Sequence, residues 1–190
     1  MKSVTVRVPA TSANIGPGFD SLGIALSLYN TFTFAQTEKT SVAGCEEKYA
    51  NENNLALVAF RAACEKAGKS APAVSLDIRA EVPVSRGLGS SATLLVAGAV
   101  GANALLDLGL SDGDLFEVVN RLEGHPDNVA PALFGGFTAS LLDNGVPYTM
   151  ALSVHPKYRF CAFVPDFETS THEARAVLPM PCITVLTLRF

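Results

Sequence analysis

Residues 83–93 of the chain have the sequence PVSRGLGSSAT. The segment follows Val74–Val82, whose alternating apolar pattern predicts a strand, and it leads into Ser90–Leu106, an apolar run rich in small residues that predicts a helix. Glycines let a backbone approach a ligand closely, and the first amides of a helix have no intrahelical partner. The segment is therefore predicted to be a glycine-rich loop that binds phosphate at a helix N-terminus.

Two standard phosphate-binding motifs can be tested against this segment. The Walker pattern is absent, because no lysine follows a glycine in the required frame. The dinucleotide pattern is formally present as Gly87, Gly89 and Ala92, with Asp107 near the expected acidic position. That match is weak, since the spacing from Pro83 to Gly87 is too long for the tight first turn of a dinucleotide fold. A glycine turn that only starts a helix is the remaining alternative.

Composition bounds the class of protein. The 190 residues are 48% hydrophobic, enough for one large domain or one domain plus part of another. The net charge of −4 with no basic run argues against a nucleic-acid surface. Apolar runs such as Thr93–Ala99 are too short to cross a membrane, and the N-terminus MKSVTVRVPA predicts a strand rather than a signal peptide. Four cysteines without metal-like or redox-like spacing indicate free thiols in the cytoplasm.

Hydrophobic periodicity and turn residues predict the other elements. Strands are predicted at Ser3–Val8, Ile24–Phe34, Phe137–Leu142, Thr149–Val154 and Arg159–Val164. Helices are predicted at Asn53–Lys66, from the N-cap Ser111 to Glu123, and at Pro126–Phe134. Because strands and helices do not alternate evenly, we expect an α+β two-layer domain rather than a doubly wound parallel sheet.

Four segments, in order, resemble the homoserine kinases of the GHMP kinase superfamily. The glycine loop is similar to the family's P-x-x-x-G-L-G-S-S-A. The other three are VPATSANIGPGFDSLGIAL (residues 8–26), EGHPDNVAPALFGG (residues 123–136) and TSTHEARAVLP (residues 169–179). The resemblance implies a GHMP kinase N-terminal domain with a left-handed βαβ unit at residues 1–155. It also implies the start of a ferredoxin-like C-terminal domain at residues 156–190.

The resemblance implies a kinase that transfers the γ-phosphate of ATP to the side-chain hydroxyl of L-homoserine, in threonine biosynthesis. Magnesium, which prefers oxygen ligands, would be held by the Ser90 hydroxyl and the Glu123 carboxylate. ATP would be bound by Pro83, Val84, Ser85, Arg86, Gly87, Leu88, Gly89, Ser90, Ser91, Ala92 and Thr93.

The family's homoserine pocket corresponds here to Asn14, Asp20, His125, Asn128, Thr171 and Arg175. Asp20 would neutralise the substrate ammonium, and Arg175 would face the substrate carboxylate and the transferring phosphate. For Asn14, turn chemistry is an equal alternative, since N-I-G-P-G-F-D is rich in turn formers. Arg175, Asn128 and Glu123 are the expected catalytic residues.

No strong general base is evident. Mevalonate kinases place an aspartate near the position of Asn128, and the side chain of the adjacent Asp127 is expected to point elsewhere. We therefore expect direct attack by the substrate hydroxyl, with its proton passing late to phosphate.

The resemblance ends near Pro179, and the tail MPCITVLTLRF is unlike the family's continuation. This pattern is expected of a truncated or frame-shifted product that binds nucleotide but turns over homoserine poorly. A homodimer is a family expectation only. The alternatives are a nucleotide-binding protein without catalysis, a kinase for another small alcohol such as mevalonate, and a dinucleotide-dependent oxidoreductase.

Overall fold

A computed structural model describes residues 2–164, which form one six-stranded sheet covered by helices. The strands are β1 (Ser3–Ala13), β2 (Leu22–Gln36), β3 (Ser41–Ala43), β4 (Val74–Arg79), β5 (Phe137–Asp143) and β6 (Val146–Leu152). The α-helices are α1 (Leu55–Lys66), α2 (Ser90–Leu106), α3 (Asp112–Glu123) and α4 (Pro126–Phe134), and Glu47–Tyr49 forms a short 3₁₀ turn. Within residues 2–164, none of the helices combines the length and apolar character needed to cross a bilayer.

The long strand β2 organises the sheet. β1 pairs antiparallel along one edge of β2. The other edge is shared, because Leu22–Ile24 pair with β5 and Thr31–Gln36 pair with β4. β3 lies parallel to β4, with α1 in the connection between them, which makes a βαβ unit. Between its two partners, β2 has an edge segment at residues 25–30 that no strand within residues 2–164 covers.

The core lies between the sheet and the helices. Phe32 and Phe34 are fully buried on the same face of β2, and the ring of Phe34 stacks on that of Phe60 in α1 with 5.6 Å between centroids. The glycines of α2 allow this helix to pack closely against α1. A β-carbon on Gly98 would lie 2.0 Å from the Ala56 carbonyl oxygen. The small-residue pattern of α2 thus reflects its burial, and the predicted two-layer α+β arrangement is confirmed.

The main differences from the predicted elements concern one strand that does not form and the ends of two others. The strand predicted at Arg159–Val164 is wrong, since residues 159–164 have no helix or strand. The ring of Phe160 contacts that of Phe137 in β5, with 6.3 Å between centroids, but Phe163 is 92% exposed. The strand predicted at Val74–Val82 ends at Arg79, and β6 begins three residues before Thr149. The predicted domain boundary at residues 155–156 stays a prediction, and residues 165–190 lie outside the described part.

The Asn30 side chain closes the connection from β4 to α2. Its Oδ1 accepts hydrogen bonds from the amides of Glu81 and Val82, both at 2.8 Å. Its Nδ2 donates to Thr93 Oγ1 in α2 at 2.9 Å. Asn30 and Thr93 are buried, so these bonds satisfy groups that have little access to water. One amide therefore fixes both ends of the glycine loop to the uncovered segment of β2.

We expect Asn30→Ala to lower the free energy of unfolding by roughly 2–4 kcal/mol, since each buried donor left without a hydrogen-bond partner costs about 1–3 kcal/mol. Urea denaturation measures this change. The matched control is Asn51→Ala, because Asn51 also makes side-chain hydrogen bonds but is exposed. An equal loss in both variants would show that the Asn30 bonds do not stabilise the loop.

Candidate active site

A cavity of about 1200 Å³ opens beside the glycine loop. Four segments supply most of its wall: the turn after β1, residues 45–55, the loop with the start of α2, and residues 123–128. The loop and residues 123–128 come from distant parts of the sequence and meet because α2 packs against both α3 and α4. Two of the four segments with family resemblance therefore face each other across one space.

The N-terminus of α2 faces this cavity. Gly89 is its N-cap, with φ of 65° and no side-chain cap, so the first amides of the helix have no partner of their own. The first turn carries no acidic side chain. The helix dipole adds positive potential at the same end, where these amides lie. The arrangement suits an anion and confirms that the loop opens a helix.

Two contacts hold the middle of the loop. The Leu88 side chain packs in a small buried cluster with Ala10 and Val82. Its carbonyl oxygen accepts a hydrogen bond from the amide of Thr11 in β1 at 3.1 Å. At the next residue there is no room for a side chain. A β-carbon on Gly89 would lie 1.9 Å from Thr11 Oγ1 and 3.1 Å from Asn128 Oδ1.

Arg86 adds a positive group to the cavity wall. One terminal nitrogen of its guanidinium is buried and has no hydrogen-bond partner among the described residues. A buried unpaired donor is costly, and a guanidinium matches the oxygens of a phosphate. The Arg86 side chain and the α2 amides thus border one cavity with groups suited to the phosphates of a nucleotide.

The Glu123 carboxylate meets the loop through the second of its two serines. Ser91 Oγ donates a hydrogen bond to Glu123 Oε1 at 2.5 Å. The expected metal pair was Ser90 and Glu123, and the structure instead joins Ser91 to Glu123. Consecutive helical residues project about 100° apart, so one of two adjacent serines faces α3, and the sequence does not show which. A hydroxyl and a carboxylate oxygen are ligands of the kind that Mg²⁺ takes.

Asp127 is among the residues that line the cavity, and the expectation that its side chain points elsewhere stays a prediction. It is only 1% exposed, and its Oδ1 lies 2.5 Å from His125 Nδ1. The same oxygen accepts a hydrogen bond from the backbone N–H of Asn128 at 2.9 Å. The hydrogen bond to Asp127 raises the pKa of His125 above its usual value, against the opposing effect of burial. Asp127 turns back toward the helix N-cap, a local geometry that its sequence position alone does not reveal.

Asn14 and Asp20 close the turn after β1. Asn14 Oδ1 accepts a hydrogen bond from the Asp20 amide at 2.9 Å, and both residues have left-handed backbones. Turn chemistry is therefore confirmed for Asn14, which also lines the cavity. The carboxylate of Asp20 lies within 4.8 Å of the ligand atoms of His125 and Asp127. Asn14, Asp20 and His125 thus lie close together, and their role in binding homoserine stays a prediction.

Two predicted site residues, Thr171 and Arg175, lie outside the described residues. Sequence reasoning also missed part of the wall, because residues 45–55 carry no recognisable motif. Several polar side chains of that segment line the cavity: Cys45, Lys48, Tyr49, Asn51, Asn53 and Asn54. Thr11 was missed as well, since nothing in the sequence distinguishes it from the other residues of β1.

Comparisons with known proteins agree with this architecture. Residues 54–136 match the family described as "GHMP kinases N terminal domain". A homoserine kinase of Clostridium botulinum is 48% identical over 93% of this chain, and one of Clostridium beijerinckii is 47% identical over the same share. The chain spans 60% of the length of these relatives. A homoserine kinase structure from Cytophaga hutchinsonii matches 95% of this chain and 61% of its own, with a TM-score of 0.79 and 28% identity.

Two glycine substitutions separate backbone strain from crowding at Thr11. Gly87 and Gly89 have similar φ angles, 71° and 65°, so an alanine at either position costs about 1–2 kcal/mol. Nothing lies within 4 Å of a β-carbon on Gly87. We expect Gly89→Ala to lower the free energy of unfolding by about 1–3 kcal/mol more than Gly87→Ala, the usual cost of overpacking. Equal losses in urea denaturation would contradict the crowding at Thr11.

Proposed function

We propose that this chain, which is similar to homoserine kinases and matches the GHMP kinase N-terminal domain over residues 54–136, phosphorylates the side-chain hydroxyl of L-homoserine with ATP. The single observation that best supports the proposal is the convergence of an anion-binding helix start and an acidic cluster on one cavity. The product would be O-phospho-L-homoserine, used in threonine biosynthesis. We expect the reaction to occur in the cytoplasm, and a homodimer remains a family expectation.

The loop would bind the triphosphate. The first amides of α2 and the buried guanidinium nitrogen of Arg86 are donors without partners of their own among the described residues. Mg²⁺ would neutralise charge on the phosphate oxygens when bound. Its protein ligands would be Glu123 and Ser91, which replaces Ser90 because Ser91 is the serine in contact with Glu123.

The other end of the cavity would bind the amino acid. Asp20, beside His125 and Asp127, provides negative charge for the substrate ammonium. Asn14 and Asn128 line the wall and offer uncharged polar groups. Thr171 and Arg175, by resemblance, would contact the substrate, with Arg175 facing its carboxylate.

Phosphoryl transfer would occur without a protein base. The homoserine hydroxyl oxygen attacks the γ-phosphorus, the bond from that phosphorus to the β,γ-bridging oxygen breaks, and ADP leaves. The hydroxyl proton passes to an oxygen of the transferred phosphoryl group. Asp127 is a poorly placed base, because its side chain is buried and turned toward its own helix, where its Oδ1 is bonded to His125 and to the Asn128 backbone amide. Catalysis would then depend on positioning and charge stabilisation.

An assay of ADP release tests the proposed function. The purified chain is supplied with ATP, Mg²⁺ and either L-homoserine, mevalonate, another amino acid or no acceptor, and nucleotide binding is measured in parallel. We expect ADP release that depends on homoserine. Nucleotide binding without acceptor-dependent release would favour a non-catalytic protein, and release with mevalonate alone would favour a different GHMP kinase.

Glu123→Gln tests the metal ligand. We expect the Mg²⁺ concentration that supports half-maximal nucleotide binding to rise at least tenfold, since even residues outside the ligand shell change metal affinity by about 10–100-fold. Glu117→Gln is the control, because Glu117 lies in the same helix and pairs with Lys66. An unchanged Mg²⁺ requirement in Glu123→Gln would remove Glu123 from the proposed ligand set.

Asp127→Asn tests the absence of a base. The side-chain oxygen of an asparagine can still accept hydrogen bonds from His125 and from the backbone N–H of Asn128. We therefore expect kcat to fall by no more than about tenfold. A general base contributes about 10²–10⁴-fold, and a loss of that size would identify Asp127 as the base. Asp112→Asn, at the exposed start of α3, controls for the loss of one negative charge.

A further inference from the structure

Thr11 lies directly behind a residue of the cavity wall. It is fully buried in β1 and does not line the cavity itself. Its Oγ1 donates a hydrogen bond to Asn128 Oδ1 at 2.7 Å. Asn128, in the first turn of α4, does line the cavity. The Thr11 hydroxyl therefore acts on a ligand through its neighbours, and its one hydrogen-bonded neighbour in the cavity wall among the described residues is the Asn128 side-chain amide.

Two neighbours define the orientation of that amide. On one side, the Thr11 hydroxyl donates to the amide oxygen. On the other, Asn128 Nδ2 lies 3.4 Å from Asp127 Oδ1, and a carboxylate oxygen can only accept. The contact with the carboxylate requires the NH₂ group toward Asp127, which places the oxygen toward β1, where it accepts from the Thr11 hydroxyl. The NH₂ group has a second hydrogen, which leaves one donor for the cavity.

We propose that Thr11 is a positioning residue that holds the Asn128 amide with an N–H donor toward the cavity, where it binds an oxygen of the transferring phosphoryl group or of the acceptor hydroxyl. This proposal rests on the proposed function. It assigns Asn128 a donating role, since the amide oxygen already accepts from Thr11.

The same hydroxyl also sets the distance between β1 and the loop. The position of a β-carbon on Gly89 is 1.9 Å from Thr11 Oγ1 and 3.1 Å from Asn128 Oδ1. The Thr11 amide donates to the Leu88 carbonyl one residue earlier. The backbone and the side chain of one residue therefore fix the glycine loop and Asn128 relative to each other. A shift of Thr11 would move the donor and the phosphate-binding loop apart.

Steady-state kinetics test the proposal with a matched pair, Thr11→Ser and Thr11→Ala, which differ only in the hydroxyl. We expect Thr11→Ala to lower kcat at least tenfold with little change in KM for ATP, since a displacement of about 1 Å can cost about 100-fold. We expect Thr11→Ser to restore kcat to within about threefold of wild type. Thr5→Val is the control. Thr5 lies in the same strand, and its hydroxyl forms an exposed hydrogen bond with the hydroxyl of Thr33.

A double-mutant cycle separates positioning from a general loss of structure. If Thr11 acts through Asn128, Thr11→Ala in an Asn128→Ala background causes no further loss of kcat. Losses that multiply in the double variant would overturn the proposal. So would a Thr11→Ala variant that keeps wild-type kcat.

An NMR measurement keeps the test independent of activity. The side-chain amide cross-peaks of Asn128 are identified by their disappearance in Asn128→Ala. We expect them to shift and to exchange faster with solvent in Thr11→Ala, and to stay near their wild-type positions in Thr11→Ser. If wild type releases no ADP, the proposed function fails, and these peaks still decide whether Thr11 positions Asn128. Unmoved peaks in Thr11→Ala would overturn the positioning role.

Discussion

The hydrogen bonds of the Asn30 amide are the constraint on which the site depends. β4 stops pairing with β2 at Arg79, and the chain must then leave the sheet and reach the start of α2. Without a partner strand, the amides of Glu81 and Val82 would lose their hydrogen bonds. Asn30 supplies an acceptor for both and binds Thr93 across the loop. The loop between these points can then remain without regular structure and still hold its amides in place.

The wall of the cavity carries groups of opposite electrostatic character. The start of α2 and Arg86 provide donors and positive potential. His125 and Asp127 line the same cavity with Asp20 beside them, and the pKa of His125 is raised, chiefly by its hydrogen bond to Asp127. Glu123 is in contact with Ser91 at the start of α2. A substrate with an anionic and a cationic part would have its orientation set by these groups, before any contact specific to its side chain.

The sequence predicted the parts of the fold that depend on local pattern. The helix after the glycine loop, the capping box at Ser111 and the strands β1, β2 and β5 follow from periodicity and cap residues. It could not predict contacts set by tertiary packing. Which serine meets Glu123 depends on how α2 is rotated against α3, and the burial of Asp127 depends on α4 packing against β1 and β2. β3 was missed because three residues are too few to show a period.

The 17 residues of α2 include no charged side chain. Apart from the hydroxyls of Ser90 and Ser91, its part of the site is therefore made of peptide groups, which neither titrate nor change when a side chain is substituted. Such a surface is a constant of the fold, shared in principle by every relative that keeps the helix start. Differences in substrate among such relatives would then depend on the facing segments, at residues 14–20 and 123–128, where side chains line the site.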